Sequence, residues 1–221
     1  MKLYDISQEV FSCAVYPGDP QPEFQTLYST AAGDLYNLTF FAMCAHNGTH
    51  VDAPFHFLHK GKTVDQMDLA HFVGDCYVAR RQGDVTASDA EEILKEAHGA
   101  ERILIAGKAT VTAEAAQVFA AGGIRLLGNE GQTVGPEDAP MQVHLILLGQ
   151  GIALLEGIVL EAVPEGRYHS DRNADKDRRG RLPGRAGEQG SHRKRHRAEI
   201  PALCDIRRKR GKTWNTDSLQ D

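Results

Sequence analysis

Residues 45–57 read AHNGTHVDAPFHF and place three histidines and an aspartate in one short run: His46, His50, Asp52 and His56. Neutral imidazole nitrogens and carboxylate oxygens are the donor set of borderline divalent cations such as Zn²⁺ and Mn²⁺. If the run is extended, side chains repeat every two residues, so His50 and Asp52 point to one side. Gly48 allows the tight turn that would bring His46 onto them, and Pro54 stiffens the approach to His56. The chemistry on offer is that of a divalent-metal centre with an open position for water. Such a centre needs further ligands from elsewhere in the chain.

Two later residues could close the coordination sphere. VHLILL (143–148) carries His144 in an apolar run, and IALLEGIVL (152–160) carries Glu156 in another. A carboxylate in a strand-like apolar stretch is costly to bury unless it is paired or bound to a metal. Other chemistry-bearing residues read more plainly. Cys44, two residues before His46, lies in an apolar strand and reads as packing. His59 and His71 read as surface or supporting histidines, His59 being nearer the run. Glu137 and Asp138 read as solvated loop charges, and AAGGIRLLGNEG lacks the GxGxxG of a dinucleotide site.

HNGTHVDAPFHF resembles the HxGTHxDxPxHF signature of the cyclase-like metal hydrolases, the family of bacterial kynurenine formamidase and isatin hydrolase. The likeness continues through Val15-Tyr16-Pro17-Gly18-Asp19 and through His144 to Glu156-Gly157, so it spans about residues 1–168. The resemblance implies a swivelling β/β/α fold, a homodimer and two divalent metals per chain, Zn²⁺ first and Mn²⁺ second. It implies that His46, His50 and Asp52 bind one metal, that Asp52 also reaches a second held by His144, and that Glu156 bridges. His56 becomes the proton donor and acceptor. The implied substrate is a small amide, an aryl formamide such as N-formylkynurenine, with another cyclic or N-acyl amide as the alternative. Tyr16 stands where the formamidase pattern has a tryptophan lining the substrate pocket. The loop 129–135, NEGQTVG, likewise departs from that pattern's Asp-x-Pro-Ser.

The elements that must position these residues alternate between strand and helix, which favours an α/β fold with a mixed β core. Strands are expected in LYDISQEV (3–10), NLTFFAMCA (37–45), DCYVARR (75–81), RILIAG (102–107) and IRLLGNE (124–130). The second of these feeds directly into the histidine run. A capping box beginning at Ser88 predicts one helix through EILKEA. Thr112 caps a second, AEAAQVFAA, which Gly122 and Gly123 stop. Residues 131–140 read as a turn-rich loop.

The chain has 221 residues, 41 % of them hydrophobic, enough for one sizeable domain. No run of eighteen apolar residues is present, so no spanning helix is expected. The four cysteines lack CxxC pairing, and the opening residues, with an early Asp5, do not read as a secretory leader; the expected address is the cytoplasm. The net charge of −5 conceals a boundary. Residues 1–168 hold 10 Lys/Arg against 22 Asp/Glu, a net of −12, whereas 169–221 hold 15 against 8, a net of +7. The second segment has no sustained period and reads as a low-order basic tail. Its runs RKRHR (193–197) and RRKR (207–210) could contact phosphates. Nearly absent aromatics argue against a nucleic-acid partner, and an inactive product of the altered tail is the remaining alternative outside enzymes. Residues 169–177 are also compatible with codons that, shifted by one base, encode Ile-Leu-Ile-Ala-Met-Pro-Ile-Lys-Ile. That matches the final apolar strand the resemblance implies, so a shifted reading frame is expected to have replaced it.

Overall fold

A computed structural model describes residues 2–172 and 204–208. Its centre is a run of parallel strands whose sequences are apolar almost without a break. Strands β5 (Gly74–Arg80), β7 (Arg102–Ala106), β9 (Leu126–Asn129) and β10 (Ala153–Glu156) lie side by side, each register parallel. A strand can be apolar at every position only if both faces of the sheet are covered. Both are covered here. Tyr77, Ala79, Ile103, Ile105, Leu127 and Leu154 enter one buried cluster, while Cys76, Val78, Leu104, Ala106, Leu126 and Leu155 enter another on the opposite face.

Three helices cover the first face: α1 (Ala87–Glu96), α2 (Ala113–Ala121) and α3 (Met141–Gly149). Ile93, Phe119 and Leu147 are their largest contributions to that cluster. Thr112 caps α2, whose bounds are those expected. The cap of α1 is not Ser88. Thr86 accepts from Asp89 N, and Asp89 reaches back to Thr86 N, so the helix starts two residues earlier than the Ser88 box implies. Two overlapping boxes compete in TASDAE. The short strand β6 (Gly83–Val85), paired with β8 (Ala109–Val111), ends at Val85 and leaves Thr86 as the first residue free to cap.

Antiparallel strands extend the sheet on both sides. On one edge β4 (His50–Asp52) pairs with β10. On the other, β11 (Gly166–Arg172) pairs with β5, β12 (Cys204–Arg208) with β11, and β1 (Leu3–Asp5) with β12, completing an eight-stranded mixed sheet. Strand β11 runs to Arg172, beyond residue 168, and β12 adds Cys204–Arg208 to the same sheet. Main-chain bonding to a neighbouring strand does not require apolar side chains, which is why the polar sequence after Tyr168 gave no warning. Residues 173–203 and 209–221, with the basic run 193–197, lie outside the described residues.

A two-stranded hairpin, β2 (Glu23–Tyr28) and β3 (Leu38–Ala42), stands apart from the main sheet, and every residue of β2 is exposed. No helix among the described residues is long and apolar enough to cross a membrane.

Candidate metal centre

The register of β4 on β10 sets the centre. Glu156 lies opposite His50 and Leu154 opposite Asp52, and facing residues of an antiparallel pair share a face. His50, Asp52 and Glu156 therefore project together onto the helix-covered face, where α3 brings His144. VHLILL, an apolar run in the sequence, is thus helix. Four consecutive apolar residues after His144 fit either element, and the helix begins directly after Pro140, the kind of residue that starts helices well.

Asp52 is the hub, its side chain 1 % exposed. His46 Nδ1 lies 2.8 Å and His50 Nε2 3.5 Å from its Oδ1; His144 Nε2 and His56 Nε2 lie 3.5 and 3.6 Å from its Oδ2. Glu156 repeats the pattern, with His144 Nε2 3.2 Å from Oε1 and His50 Nε2 3.4 Å from Oε2. His46, His50 and Asp52 form one group whose ligand atoms all lie within 4.8 Å of one another, and Asp52, His144 and Glu156 form a second. The groups share Asp52. His56 belongs to neither; its ring stacks on that of His46 with centroids 4.1 Å apart.

Carbonyl oxygens can only accept, and that fixes two tautomers. His50 Nδ1 donates to Gly48 O at 3.0 Å and His144 Nδ1 to Pro140 O at 2.9 Å, so each turns its Nε2 toward the carboxylates. Gly48 sits at φ +64°, the left-handed region that a side chain would strain.

Two carboxylates buried this close need about two positive charges, and protons supply them when no cation does. Burial alone would lower His144, but Asp52 and Glu156 overcome it and push its pKa up to about 10. Burial likewise opposes His50, yet Glu156 and the Gly48 carbonyl hold it above its ordinary value. Burial would raise both acids; His144 and His46 bring Asp52 below the usual carboxylate range, and His144 with His50 do the same for Glu156. His56 moves the other way: burial outweighs the pull of Asp52 and lowers its pKa.

Whether these residues fit a divalent cation is answered at Asp52. Neither of its buried oxygens accepts a hydrogen bond, although four imidazole nitrogens surround them. A buried carboxylate ringed by imidazole nitrogens at 2.8–3.6 Å, none in hydrogen-bond geometry, is expensive in a protein interior, and it is what a cation ligand looks like. The nitrogen and oxygen donors present are those Zn²⁺ and Mn²⁺ accept.

The Cyclase family model matches residues 4–136. The kynurenine formamidase of Bacillus thuringiensis (strain Al Hakam) is 33 % identical over 184 residues, covering 74 % of this chain and 85 % of that protein. The chain belongs to the cyclase family. A solved structure described as a potential metal-dependent hydrolase with cyclase activity is 25 % identical and superposes with a TM-score of 0.66 over 79 % of this chain and 90 % of its own. An isatin hydrolase bound to the product analogue thioisatinate shares the fold at 16 % identity, with a TM-score of 0.67 over 81 % of this chain and 88 % of its own.

Around this cyclase-family centre the remaining candidates separate. Tyr16 is half-buried on a loop outside the cluster, and its hydroxyl donates to Glu137 O at 3.0 Å. Gln132 Nε2 ties the same segment down at Ala14 O, 2.6 Å away. Cys44 lies just past β3 and is half-buried, so it is neither in a strand nor core. His59 is exposed, and His71 Nδ1 donates to Asp68 O at 3.0 Å. Several supports escaped the sequence reading. Thr49 Oγ donates to Gly157 O at 2.6 Å and accepts from Gln8 N at 2.8 Å, joining the ligand loop to the residue after Glu156. Asn47 Nδ2 donates to Val10 O at 2.6 Å. Val134 N donates to Glu156 Oε1 at 2.8 Å. The GT in GTH was the available signal for the first; main-chain partners leave none.

Proposed function

We propose that this hydrolase opens the amide bond of an aryl formamide such as N-formylkynurenine, releasing formate and an arylamine. The observation that carries the reading is Asp52, a buried carboxylate that accepts no well-formed hydrogen bond among the described residues and is shared by two ligand groups. The 33 % identity to a kynurenine formamidase supports the substrate class. His46, His50 and Asp52 would hold one divalent cation, and Asp52, His144 and Glu156 a second, Zn²⁺ in preference to Mn²⁺. A cation held there lowers the pKa of water and polarises a carbonyl.

The protein's own part is proton handling and placement. His56 is presented by a short turn starting at Pro54, with a third of its side chain exposed. Its lowered pKa leaves Nε2 neutral near pH 7, able to take a proton from attacking water and return it to the amine nitrogen as the C–N bond breaks. Nε2 lies 3.6 Å from Asp52, so the imidazolium formed in between faces a carboxylate. Tyr16, held by Glu137, supplies an aromatic wall for the substrate. A second reading, hydrolysis of a cyclic or other N-acyl amide, is favoured by that same residue, because a tethered tyrosine leaves a differently shaped pocket from the tryptophan of the formamidase pattern.

The working form is a homodimer in the cytoplasm. A two-stranded hairpin alone is marginal in water, yet β2 and β3 leave Phe24, Tyr28, Leu38, Phe40 and Phe41 exposed, a patch of the kind that marks an interface. The free thiols of Cys13 and Cys44 suit a reducing compartment. Metal analysis of the purified protein, coupled to a formate-release assay on N-formylkynurenine and on isatin, tests the reading. Metal-dependent formate release supports it. Metal uptake with isatin opening alone moves the assignment to the second reading, and a protein that takes up no divalent metal overturns both.

A further inference from the structure

Among the described residues Glu130 has no imidazole or cation partner, yet its carboxylate is held at both oxygens by main-chain amides. Oε2 accepts from Gly107 N at 2.5 Å and Oε1 from Leu160 N at 2.7 Å. The sheet order places β9 between β7 and β10, and Glu130 directly follows β9. Gly107 directly follows β7, and Leu160 lies four residues past the end of β10. The side chain thus straddles its own strand end and ties together the outgoing chains of both neighbours.

The same two segments are stitched on either side of that carboxylate. Gly157 N donates to Gly131 O at 2.7 Å and Ile158 N to Asn129 O at 3.2 Å. The last stitch is Val134 N to Glu156 Oε1 at 2.8 Å. That bond aims Glu156, leaving its Oε2 for His50 and setting Oε1 against His144. Val134 O in turn accepts from Val111 N at 2.8 Å, so the loop cannot shift at that point without breaking a strand-end bond. In the other group His50 Nδ1 is held by Gly48 O on its own segment, and no side chain of His46, His50 or Asp52 bonds directly to residues 129–134; the ligand loop reaches them only indirectly, through Thr49 Oγ on Gly157 O.

We infer that Glu130 is a positioning residue for Glu156: by clamping the loop 129–134 to Gly107 and Leu160, it holds the Val134 amide against the Glu156 carboxylate and so sets the second ligand group, to which Glu156 belongs, more than the first, which Glu156 meets only through His50. The inference rests on the metal reading of the site. Its consequence is selective. Loosening Glu130 weakens the Asp52–His144–Glu156 group far more than the His46–His50–Asp52 group, whereas a purely structural carboxylate lowers stability and treats both alike.

Calorimetric titration of the metal-stripped full chain with Zn²⁺, run beside thermal unfolding, separates these. The variants are Glu130→Ala, Glu130→Gln and, as a control for lost stability, Ile93→Ala in the fully buried core of α1. Wild type takes up two Zn²⁺. Glu130→Ala keeps one site close to wild-type affinity and weakens the other by roughly 10–100-fold, the usual effect of removing support behind a ligand. Glu130→Gln retains one acceptor oxygen and falls between. Ile93→Ala lowers the unfolding temperature and leaves the titration unchanged. Equal weakening of both sites, wild-type titrations from both Glu130 variants, or the same selective loss in Ile93→Ala each overturn the inference. Should Glu130→Ala fail to fold, Glu130→Gln decides it on the same criteria. A wild type that binds no Zn²⁺ overturns the metal reading itself, an outcome visible before any variant is made.

Discussion

Replacing Thr49 by valine keeps the side chain's shape and removes its hydroxyl. Thr49 is 5 % exposed, and that hydroxyl makes two short bonds, to Gly157 O at 2.6 Å and from Gln8 N at 2.8 Å. Each is worth about 1 kcal/mol net. The two losses differ in what they leave behind. Gly157 O keeps Gln8 Nε2 at 2.7 Å and stays satisfied. Gln8 N loses the acceptor it has here and carries part of the penalty of about 1–3 kcal/mol for an unpaired group. The sum is about 2–3 kcal/mol. A chain of this size loses about 2–4 °C of melting temperature per kcal/mol, so Thr49→Val should melt about 5–10 °C lower. Thr49→Ser keeps the hydroxyl and should recover most of the difference. Urea unfolding of the three proteins measures the energies directly. Agreement of Thr49→Val with wild type within about 0.5 kcal/mol, the scatter of an ordinary surface change, would refute the reasoning. So would a loss in Thr49→Ser as large as that in Thr49→Val, since removing the γ-methyl would then cost as much as removing the hydroxyl.

His50→Ala should lower both the metal content and the turnover, because His50 Nε2 faces both carboxylates; full metal occupancy by elemental analysis would remove it from the ligand set. His56→Ala should keep its metal and lose roughly 10²–10⁴-fold in kcat, the usual contribution of a positioned proton-transfer group. Metal loss from a folded His56→Ala protein would make it a ligand instead. At the start of α1, Thr86 holds the Asp89 carboxyl below its ordinary 3.8. A depressed carboxyl pKa contributes stability that is present above the unfolded value and vanishes as pH falls through the folded one. Asp89→Asn should therefore destabilise the protein at neutral pH and match wild type in acid, below both values, as read from unfolding midpoints across the pH range; a gap that persists into acid would mean the charge is not what matters.

What could be read in the chain itself was local. His50 and Asp52 sit two apart in a strand, so their common direction follows from backbone geometry alone, and both are buried on one face as that predicts. The core strands announced themselves because RILIA must be covered on both faces. Thr112 capped α2 where expected, but at α1 two capping boxes overlap in six residues, and only the end of β6 selects Thr86.

The centre as a whole was decided by tertiary structure. Glu156 meets His50 through a pairing of strands about a hundred residues apart, and a one-residue slip in that register would turn the carboxylate to the other face. His144 comes from a helix that packs onto the same face, in a run whose apolar residues suit helix and strand equally. The bonds that aim these ligands run to the carbonyls of Gly48 and Pro140 and the amide of Val134. Every residue but proline carries both groups, so residue type carries no trace of which ones will be used. Likewise β12 joins the sheet through main-chain bonds beside β1 and β11, for which the polar, basic sequence gave no periodic sign. Residue type and spacing chose the donors for a divalent cation; long-range strand register and helix packing decided which of them meet, and from which side.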